Sequence, residues 1–241
     1  MTDTLGFGPE KRRQGNLEIL AGKDTFRDGF RKMLASIHAN GHTFEECREA
    51  MKKSGLIETC LGDRKTNQTL FADITLDDGF REFYQWCKAY DVPFVIISSG
   101  MAPFIRAVLS NLVGDEEASK IDIVANDAVI EADGKWEIKF RHPTSGYGHD
   151  KSQAILQYRN LSDPPTIFFF GDGVSDMSAA RHADVLFVKT KPGADNDLHA
   201  YCTREGIPHI LFENFHQALP VVRRVVEGEL TVSQALALGK A

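Results

Sequence analysis

The spacing of hydrophobic positions along this 241-residue chain changes near residue 75. Between residues 8 and 75, apolar side chains recur every three or four positions, as in the run Phe30–Ile37, which predicts amphipathic helices. Thr43 and Glu46 lie three residues apart ahead of a further helical pattern, and this spacing is typical of a capping box at a helix start. The first third of the chain is therefore predicted to be a small helical unit without a strand.

Beyond residue 76, amphipathic helical segments alternate with short runs that are apolar throughout. Such runs are typical of parallel strands covered on both faces, so the chain is predicted to be an α/β protein with a Rossmann-like parallel sheet and a small helical domain. The predicted domains are residues 1–75 and 76–241. Strands are predicted over 92–97, 121–124, 166–170, 185–188 and 209–212, with a hairpin over 129–140, and helices over 78–90, from Pro103, Asp150 and Ser175, near Leu198 and after the last strand.

Composition and charge restrict the partners of the chain. The 28 basic and 34 acidic residues give a net charge of −6, and the basic run Lys11–Arg13 is interpreted as a solvated helix face, so neither nucleic acid nor a membrane is expected as a partner. The four cysteines are scattered and form no metal-binding pattern. Because the start of the sequence has no apolar stretch of signal-peptide length, we expect a cytoplasmic protein.

Ser98, Ser99 and Gly100 follow the apolar run at 92–97 and precede a helix that Pro103 suits as a first-turn residue. In parallel α/β sheets, ligands bind beyond the carboxyl ends of the strands. Hydroxyl groups, backbone N–H groups and a helix start favour a phosphate, so these three residues are candidate substrate ligands. The alternative is an ordinary Ser-Ser-Gly turn.

A second junction carries the most specific signal in the sequence. The apolar run at 166–170 ends in Gly171, Asp172 and Gly173, with Asp176 four residues after Asp172. Two carboxylates at a glycine-containing turn are the oxygen ligands that Mg²⁺ prefers, usually shared with a substrate phosphate. Asp172 and Asp176 are therefore candidate metal ligands, and Gly173 is a candidate for close backbone approach to substrate. The alternative is a tight turn before a helix capped by Ser175.

Lys151 begins a predicted helix between these two junctions. A lysine at a helix start is commonly a surface residue. Beside a carboxylate cluster that binds a dianion, however, an ammonium group would offset charge repulsion and stabilise a transferring phosphoryl group. Lys151 is therefore a candidate catalytic residue, together with Ser98.

The order of these motifs resembles the second, third and fourth motifs of haloacid dehalogenase-like phosphatases, within the phosphoserine phosphatase-like branch. The segments TDTLGFG, SSGM, GHDKS and GDGVSD carry the resemblance to a group of fungal-type hydrolases. The resemblance implies that Ser98 holds a phosphate oxygen, that Lys151 bridges phosphate and nucleophile, and that Asp172 binds magnesium with Asp176 as a ligand or behind it. Residues 8–75 would be a cap that closes over a small phosphorylated metabolite. Ser175 stands where relatives often carry asparagine.

The sequence departs from this family at its first motif. Members of the family begin with an apolar strand ending in D-x-D-G-T, whose first aspartate attacks phosphorus, and the match here starts just downstream of that strand. Asp3 does not follow an apolar run and is not interpreted as the nucleophile. The first, central strand of the sheet is therefore predicted to be missing, and we expect a natural start about 20 residues upstream, the length of a βα beginning.

Three functions fit this pattern to different degrees. The first is magnesium-dependent hydrolysis of a small phosphomonoester, inactive unless the missing motif is restored. The second is a pseudo-phosphatase that binds a phosphorylated ligand without turnover. The third, a receiver-like or flavodoxin-like interaction module, leaves Lys151 and the paired aspartates unexplained. Hydrolysis by serine or cysteine is not expected, because no G-x-S-x-G motif is present.

Overall fold

A computed structural model describes residues 2–53, 76–191, 193 and 196–239. The chain forms two compact units, each made of two segments. Unit 1 comprises Met1–Leu76 and Val95–His149, and unit 2 comprises Asp77–Phe94 and Asp150–Ala241. In the described residues, the helices are too short or too polar to cross a membrane.

The helices at the start of unit 1 have the predicted helical character. They are α1 (Thr2–Leu5), α2 (Pro9–Leu20), α3 (Phe26–Ala39) and α4 (Phe44–Lys53). The predicted capping box is present, since the Thr43 N–H donates to Glu46 Oε2 at 2.9 Å and the Glu46 N–H donates to Thr43 Oγ1 at 3.2 Å. These bonds satisfy backbone donors that a helix start leaves without a partner.

The sheet of unit 1 mixes parallel and antiparallel pairing. It is formed by β1 (Val95–Met101), β2 (Asp122–Ile130) and β3 (Trp136–Lys139), and α6 (Ala102–Val113) and α7 (Asp115–Lys120) connect the first two strands. The first half of β2 pairs with β1 in parallel, and its second half pairs with β3 as an antiparallel hairpin.

The first two strands of unit 1 differ from their predicted bounds. The strand predicted at 121–124 and the first hairpin strand are one continuous strand, because β2 changes pairing partner along its length without a break. The strand predicted at 92–97 begins later, because the Val92 N–H donates back to the Cys87 carbonyl at 2.8 Å and so continues the preceding helix end. That strand also includes residues 98–101, which were predicted to follow it.

An apolar core joins the helices of unit 1 to its sheet. The Phe44 ring stacks on Phe104 with ring centroids 4.6 Å apart, and Trp136 contacts Phe44 edge-on at 5.7 Å. The Trp136 indole N–H donates to the His42 carbonyl at 3.1 Å, so this large side chain is buried without losing its hydrogen bond. The other buried side chains of this core are Leu5, Leu34, Ile37, Cys47, Met101, Ile138 and Phe140.

Unit 2 contains an all-parallel sheet, as predicted. Its strands are β4 (Phe168–Gly171), β5 (Val185–Lys189) and β6 (Ile210–Phe212), paired in that order. Its helices are α5 (Phe80–Ala89), α8 (Lys151–Arg159), α9 (Met177–Ala180), α10 (Asp197–Glu205), α11 (Phe215–Val226) and α12 (Val232–Leu238). The side chains of β5 from Val185 to Val188 are completely or almost completely buried, which explains why that run is apolar throughout.

Aromatic side chains form much of the core of unit 2. Phe170 stacks on Phe187 at 4.7 Å between adjacent strands, and Phe83 of α5 lies 4.9 Å from Phe215 of α11. Gly79 permits this close packing, because a Cβ atom there would lie 2.5 Å from the His216 backbone nitrogen.

The observed architecture confirms the predicted α/β class with parallel strands and a helical N-terminal region. The cap assignment for residues 1–75 and the missing central strand stay predictions. Part of the cap segment, residues 54–75 including Cys60, lies outside the described residues.

Candidate active site

The turn after β4 is organised by the carboxylate of Asp176. Asp176 Oδ2 accepts hydrogen bonds from the backbone N–H groups of Asp172, at 3.0 Å, and Gly173, at 3.1 Å. Residues Val174–Asp176 form a 3₁₀ turn before α9, so the prediction of a helix beginning at Ser175 was wrong by two residues. The reason is that the Asp176 carboxylate accepts hydrogen bonds from two preceding backbone N–H groups, which closes these residues into a tight turn.

Gly171 is needed for this close return of the chain. A Cβ atom at Gly171 would lie 2.7 Å from Asp176 Cγ and 2.8 Å from Asp176 Cβ, which is closer than carbon atoms approach without displacement. At Gly173 a Cβ atom would meet nothing within 4 Å. The two glycines on either side of Asp172 therefore have different structural roles.

Lys151 forms a buried ion pair with Asp176. Asp150 caps α8 by accepting the Ser152 N–H at 3.1 Å, and this cap places Lys151 at the first helical residue. Lys151 Nζ lies 2.7 Å from Asp176 Oδ1, and the two side chains are only 9 % and 5 % exposed. Removal of two charges from water is costly, so such a pair persists only where it is well hydrogen-bonded, as Asp176 is here.

Asp172 presents a second carboxylate at this turn. Although the residue as a whole is exposed, neighbouring protein atoms remove part of the water around its carboxyl group. This loss of water and the negative charge of Asp176 raise the pKa of Asp172 above its ordinary value, while Lys151 acts in the opposite direction. A bound cation would relieve this repulsion between carboxylates.

The donor set at this turn is consistent with magnesium held in part by substrate. No group of three or more His, Cys, Asp or Glu side chains suited to a metal ion occurs among the described residues. Mg²⁺ often binds through one or two carboxylates and completes its shell with water and substrate phosphate. Asp172 fits that mode as a direct ligand, because no donor within the described ranges hydrogen-bonds its carboxylate. Both oxygens of Asp176 already accept hydrogen bonds, so Asp176 fits a place behind Asp172.

The second candidate group, Ser98–Gly100, belongs to the end of β1 in unit 1, where the register of this strand on β2 shifts, and this segment is named the Ser98 turn. The Gly100 N–H donates to Ser98 Oγ at 3.1 Å, and Ser98 is half-buried. Ser99 is 6 % exposed, and its Oγ has no hydrogen-bond partner within the described part of the chain. The turn therefore exposes the Ser98 hydroxyl more than that of Ser99.

The structure thus brings Lys151, Asp172, Gly173 and Asp176 together in unit 2, and places Ser98, Ser99 and Gly100 in a turn of unit 1. The functional roles given to all seven stay predictions.

Two residues that hold the Ser98 turn were not identified from the sequence as part of a site. Asn126 donates from Nδ2 to the Ser99 carbonyl at 2.8 Å, and the His149 ring lies 2.7 Å from the Ser98 carbonyl oxygen. The available signal for Asn126 was an amide directly after the apolar residues 123–125 at the end of a predicted strand, where a buried polar group needs partners.

The three cysteines within the described residues show no sign of nucleophilic activation. Cys47, Cys87 and Cys202 are buried and unpaired with another cysteine, and burial raises the pKa of each thiol to about 11. Since the thiolate is the nucleophilic form, these residues pack as small apolar groups.

Comparison with known proteins agrees with this geometry. Residues 18–181 match the haloacid dehalogenase-like hydrolase family model. The acidic turn and the buried lysine lie at the carboxyl end of a parallel strand, where α/β proteins bind their ligands. The chain belongs to the haloacid dehalogenase-like hydrolase family, and this confirms the resemblance found in its motifs.

The chain has similar relatives in two yeasts. It is 37 % identical to "Polyol phosphate phosphatase PYP1" of Saccharomyces cerevisiae, in an alignment covering 98 % of this chain and 90 % of the relative. It is 40 % identical to "Pdp3-interacting factor 1" of Schizosaccharomyces pombe, covering 89 % of this chain and 83 % of the relative.

A solved structure shares the fold. The crystal structure of a phosphoserine phosphohydrolase-like protein from Francisella tularensis matches with a TM-score of 0.55 and 18 % identity, covering 88 % of this chain and 84 % of that one.

Proposed function

We propose that this protein is a magnesium-dependent phosphatase that hydrolyses the phosphomonoester of a small metabolite. The observation that carries the proposal is the Lys151–Asp176 ion pair, buried beside the exposed Asp172 carboxylate at the carboxyl end of β4. The two carboxylates of the turn provide negative charge for a metal ion, and the ammonium group of Lys151 beside them provides positive charge for a transferring phosphoryl group.

Each residue has a proposed role in this reaction. Asp172 would hold Mg²⁺, which when bound offsets negative charge on the phosphate oxygens. Asp176, whose two oxygens accept hydrogen bonds from Lys151 and from the turn, would stand behind Asp172 and keep the turn in shape. Lys151, kept in place by Asp176, neutralises charge on the phosphoryl group and its attacking carboxylate. In unit 1, Ser98 is proposed to bind a phosphate oxygen, with the backbone of Ser99 and Gly100 open to close approach. In unit 2, the same close approach is proposed for the backbone at Gly173.

The relatives indicate which substrates to test first. One yeast relative is named as a polyol phosphate phosphatase, so sugar-alcohol phosphates are the first candidates for this chain. Residues 8–75 are proposed as the cap that selects among them by excluding water around the ester.

Phosphate release from a panel of sugar-alcohol and other small phosphomonoesters, with Mg²⁺ or with EDTA, tests the proposal. We expect release to require Mg²⁺ and to fall by about 100- to 1,000-fold in Asp172→Asn, because a preorganised charge is lost from the transition state. Asp163→Asn is the matched control, since Asp163 is an exposed aspartate of unit 2 outside the turn. Release that EDTA and Asp172→Asn both leave unchanged would contradict the proposal.

The assay also separates an enzyme from a pseudo-phosphatase. It is run on the 241-residue chain and on a form extended at its N-terminus by a strand ending in D-x-D-G-T, since the proposed reaction needs an attacking aspartate. Turnover in the extended form supports the enzyme. Binding of inorganic phosphate by calorimetry, with no release from either form, supports a protein that binds phosphorylated ligands without turnover.

A further inference from the structure

The end of β1 leaves its ladder with β2 at the residues that carry the phosphate-binding candidates. Ser98 pairs with Ala125, and the next pair along the ladder is Met101 with Asn126. Ser99 and Gly100 therefore have no paired residue on β2, which is the arrangement of a bulge. Bulges redirect the chain locally, but the backbone carbonyls that they bury must find other partners.

His149 supplies a partner for the carbonyl of Ser98, the last paired residue before the bulge. Its side chain is 0 % exposed, and Nδ1 lies 2.7 Å from the Ser98 carbonyl oxygen. A carbonyl oxygen only accepts hydrogen bonds, so Nδ1 carries the proton in this contact. The two residues are 51 positions apart, so the contact ties the turn to a distant part of the chain.

Asn126 supplies a partner for the second carbonyl. Its Nδ2 donates to the Ser99 carbonyl at 2.8 Å, while its Oδ1 accepts the Arg141 N–H at 2.9 Å. The residue is 1 % exposed, so both ends of its amide are used inside the protein. Asn126 therefore links the bulge of β1 to the loop that leads from β3 to His149.

That loop is itself constrained. The His142 N–H donates to the Gly148 carbonyl at 2.7 Å, and the Gly148 N–H donates to the Ser145 carbonyl at 3.0 Å. Gly148 has a φ of +69°, and a Cβ atom there would lie 2.4 Å from Phe140 Cδ1, so another residue would be strained at this position. The closed loop fixes both Arg141 and His149 relative to the bulge.

We propose that Asn126 and His149 are positioning residues that hold the Ser98–Gly100 turn in the shape that binds a phosphate oxygen. This inference rests on the proposed function, because it assumes that Ser98 contacts phosphate. The two side chains act on the turn through the carbonyls of Ser98 and Ser99, and neither is assigned a contact with substrate.

Calorimetric titration of the full chain with inorganic phosphate in the presence of Mg²⁺ tests the proposal. Asn126→Asp replaces the Nδ2 donor by an oxygen that repels the Ser99 carbonyl, and we expect its phosphate Kd to rise by up to about 100-fold. His149→Leu removes a donor and should raise the Kd in the same direction. His149→Asn keeps an N–H near the Nδ1 position and should restore most of the lost affinity, which a merely space-filling role would not produce.

Asn40→Asp is the matched control. Asn40 Nδ2 also donates to a backbone carbonyl of unit 1, that of Leu5, at 2.7 Å, but it lies outside the Ser98 turn. We expect it to leave the phosphate Kd unchanged, whatever it does to the free energy of unfolding, which is measured for every variant.

Ser98→Ala separates the two proposals. If Ser98→Ala weakens phosphate binding while Asn126→Asp and His149→Leu, both folded, bind phosphate as the parent chain does, the positioning role is wrong and the proposed phosphate contact stands. If Ser98→Ala has no effect, the phosphate contact itself is wrong, and the positioning inference falls with it. Equal losses in His149→Asn and His149→Leu would also overturn the inference for His149, since a donor at this position would then not matter.

Discussion

Two turns at the ends of parallel strands carry the candidate chemistry, and they are held in different ways. The turn after β4 is closed by its own Asp176, four residues from Asp172, and by the charge of Lys151. The turn at the end of β1 is held by the amide of Asn126 and the ring of His149, which are 27 and 51 residues away from the carbonyls they contact. One turn thus depends on a carboxylate of its own and an ion pair, and the other depends on hydrogen bonds that distant side chains donate to its carbonyls.

The largest expected effect breaks the charged half of this comparison. Lys151→Met leaves Asp176 buried without its counter-ion, so we expect the free energy of unfolding in urea to fall by about 3–5 kcal/mol. The double variant Lys151→Met with Asp176→Leu should recover part of this loss, because no unpaired charge then remains buried.

An exposed ion pair provides the control for that experiment. Lys120 pairs with Glu116 at 2.7 Å, but the two side chains are 48 % and 85 % exposed. We expect Lys120→Met to change the free energy of unfolding by no more than about 0.5 kcal/mol. If Lys120→Met and Lys151→Met lower the free energy of unfolding equally, then burial does not increase the contribution of the Lys151–Asp176 pair to stability.

A smaller effect tests how local the turn after β4 is. Gly171→Ala forces a methyl group against Asp176, so we expect a loss of about 1–3 kcal/mol in the free energy of unfolding. Gly173→Ala introduces the same methyl group into open space and should change the free energy by about 0.5 kcal/mol or less. If both alanine variants are equally stable in urea, the close packing of Asp176 against Gly171 does not restrict the side chain at position 171.

The same contrast explains what the sequence could predict. The turn after β4 was predicted because Gly171, Asp172 and Asp176 lie within six residues, after an apolar run. Asn126 and His149 were not assigned to a site, because their partners are set by the register of β1 on β2 and by a loop, neither of which has a local signature. The start of β1 was missed for a different reason, because the Val92 N–H bonds back to Cys87 at the end of α5 and so delays the strand.

The smallest expected effect concerns Asp28 of unit 1, a partly exposed carboxylate that contrasts with the buried Asp176 of unit 2. Asp28 accepts hydrogen bonds from the Arg27 guanidinium and from Thr25 Oγ1, each at 2.9 Å, and these bonds lower the pKa of Asp28 to about 2 from an ordinary value of 3.8. A carboxyl with a lowered folded-state pKa stabilises the fold above its ordinary pKa and loses that contribution as the pH falls through the folded value.

We therefore expect the stability difference between the parent chain and Asp28→Asn to be constant above about pH 5 and to shrink as the pH falls from about 4 toward 2. Urea unfolding at a series of pH values measures it. Thr25→Val is the companion variant, because it removes the hydroxyl bond but keeps Arg27, so part of the pH dependence should remain. A difference that does not change between pH 5 and 2 would mean that the ionised form of Asp28 is not what stabilises the start of α3, and that unit 1 depends on neutral contacts there as well.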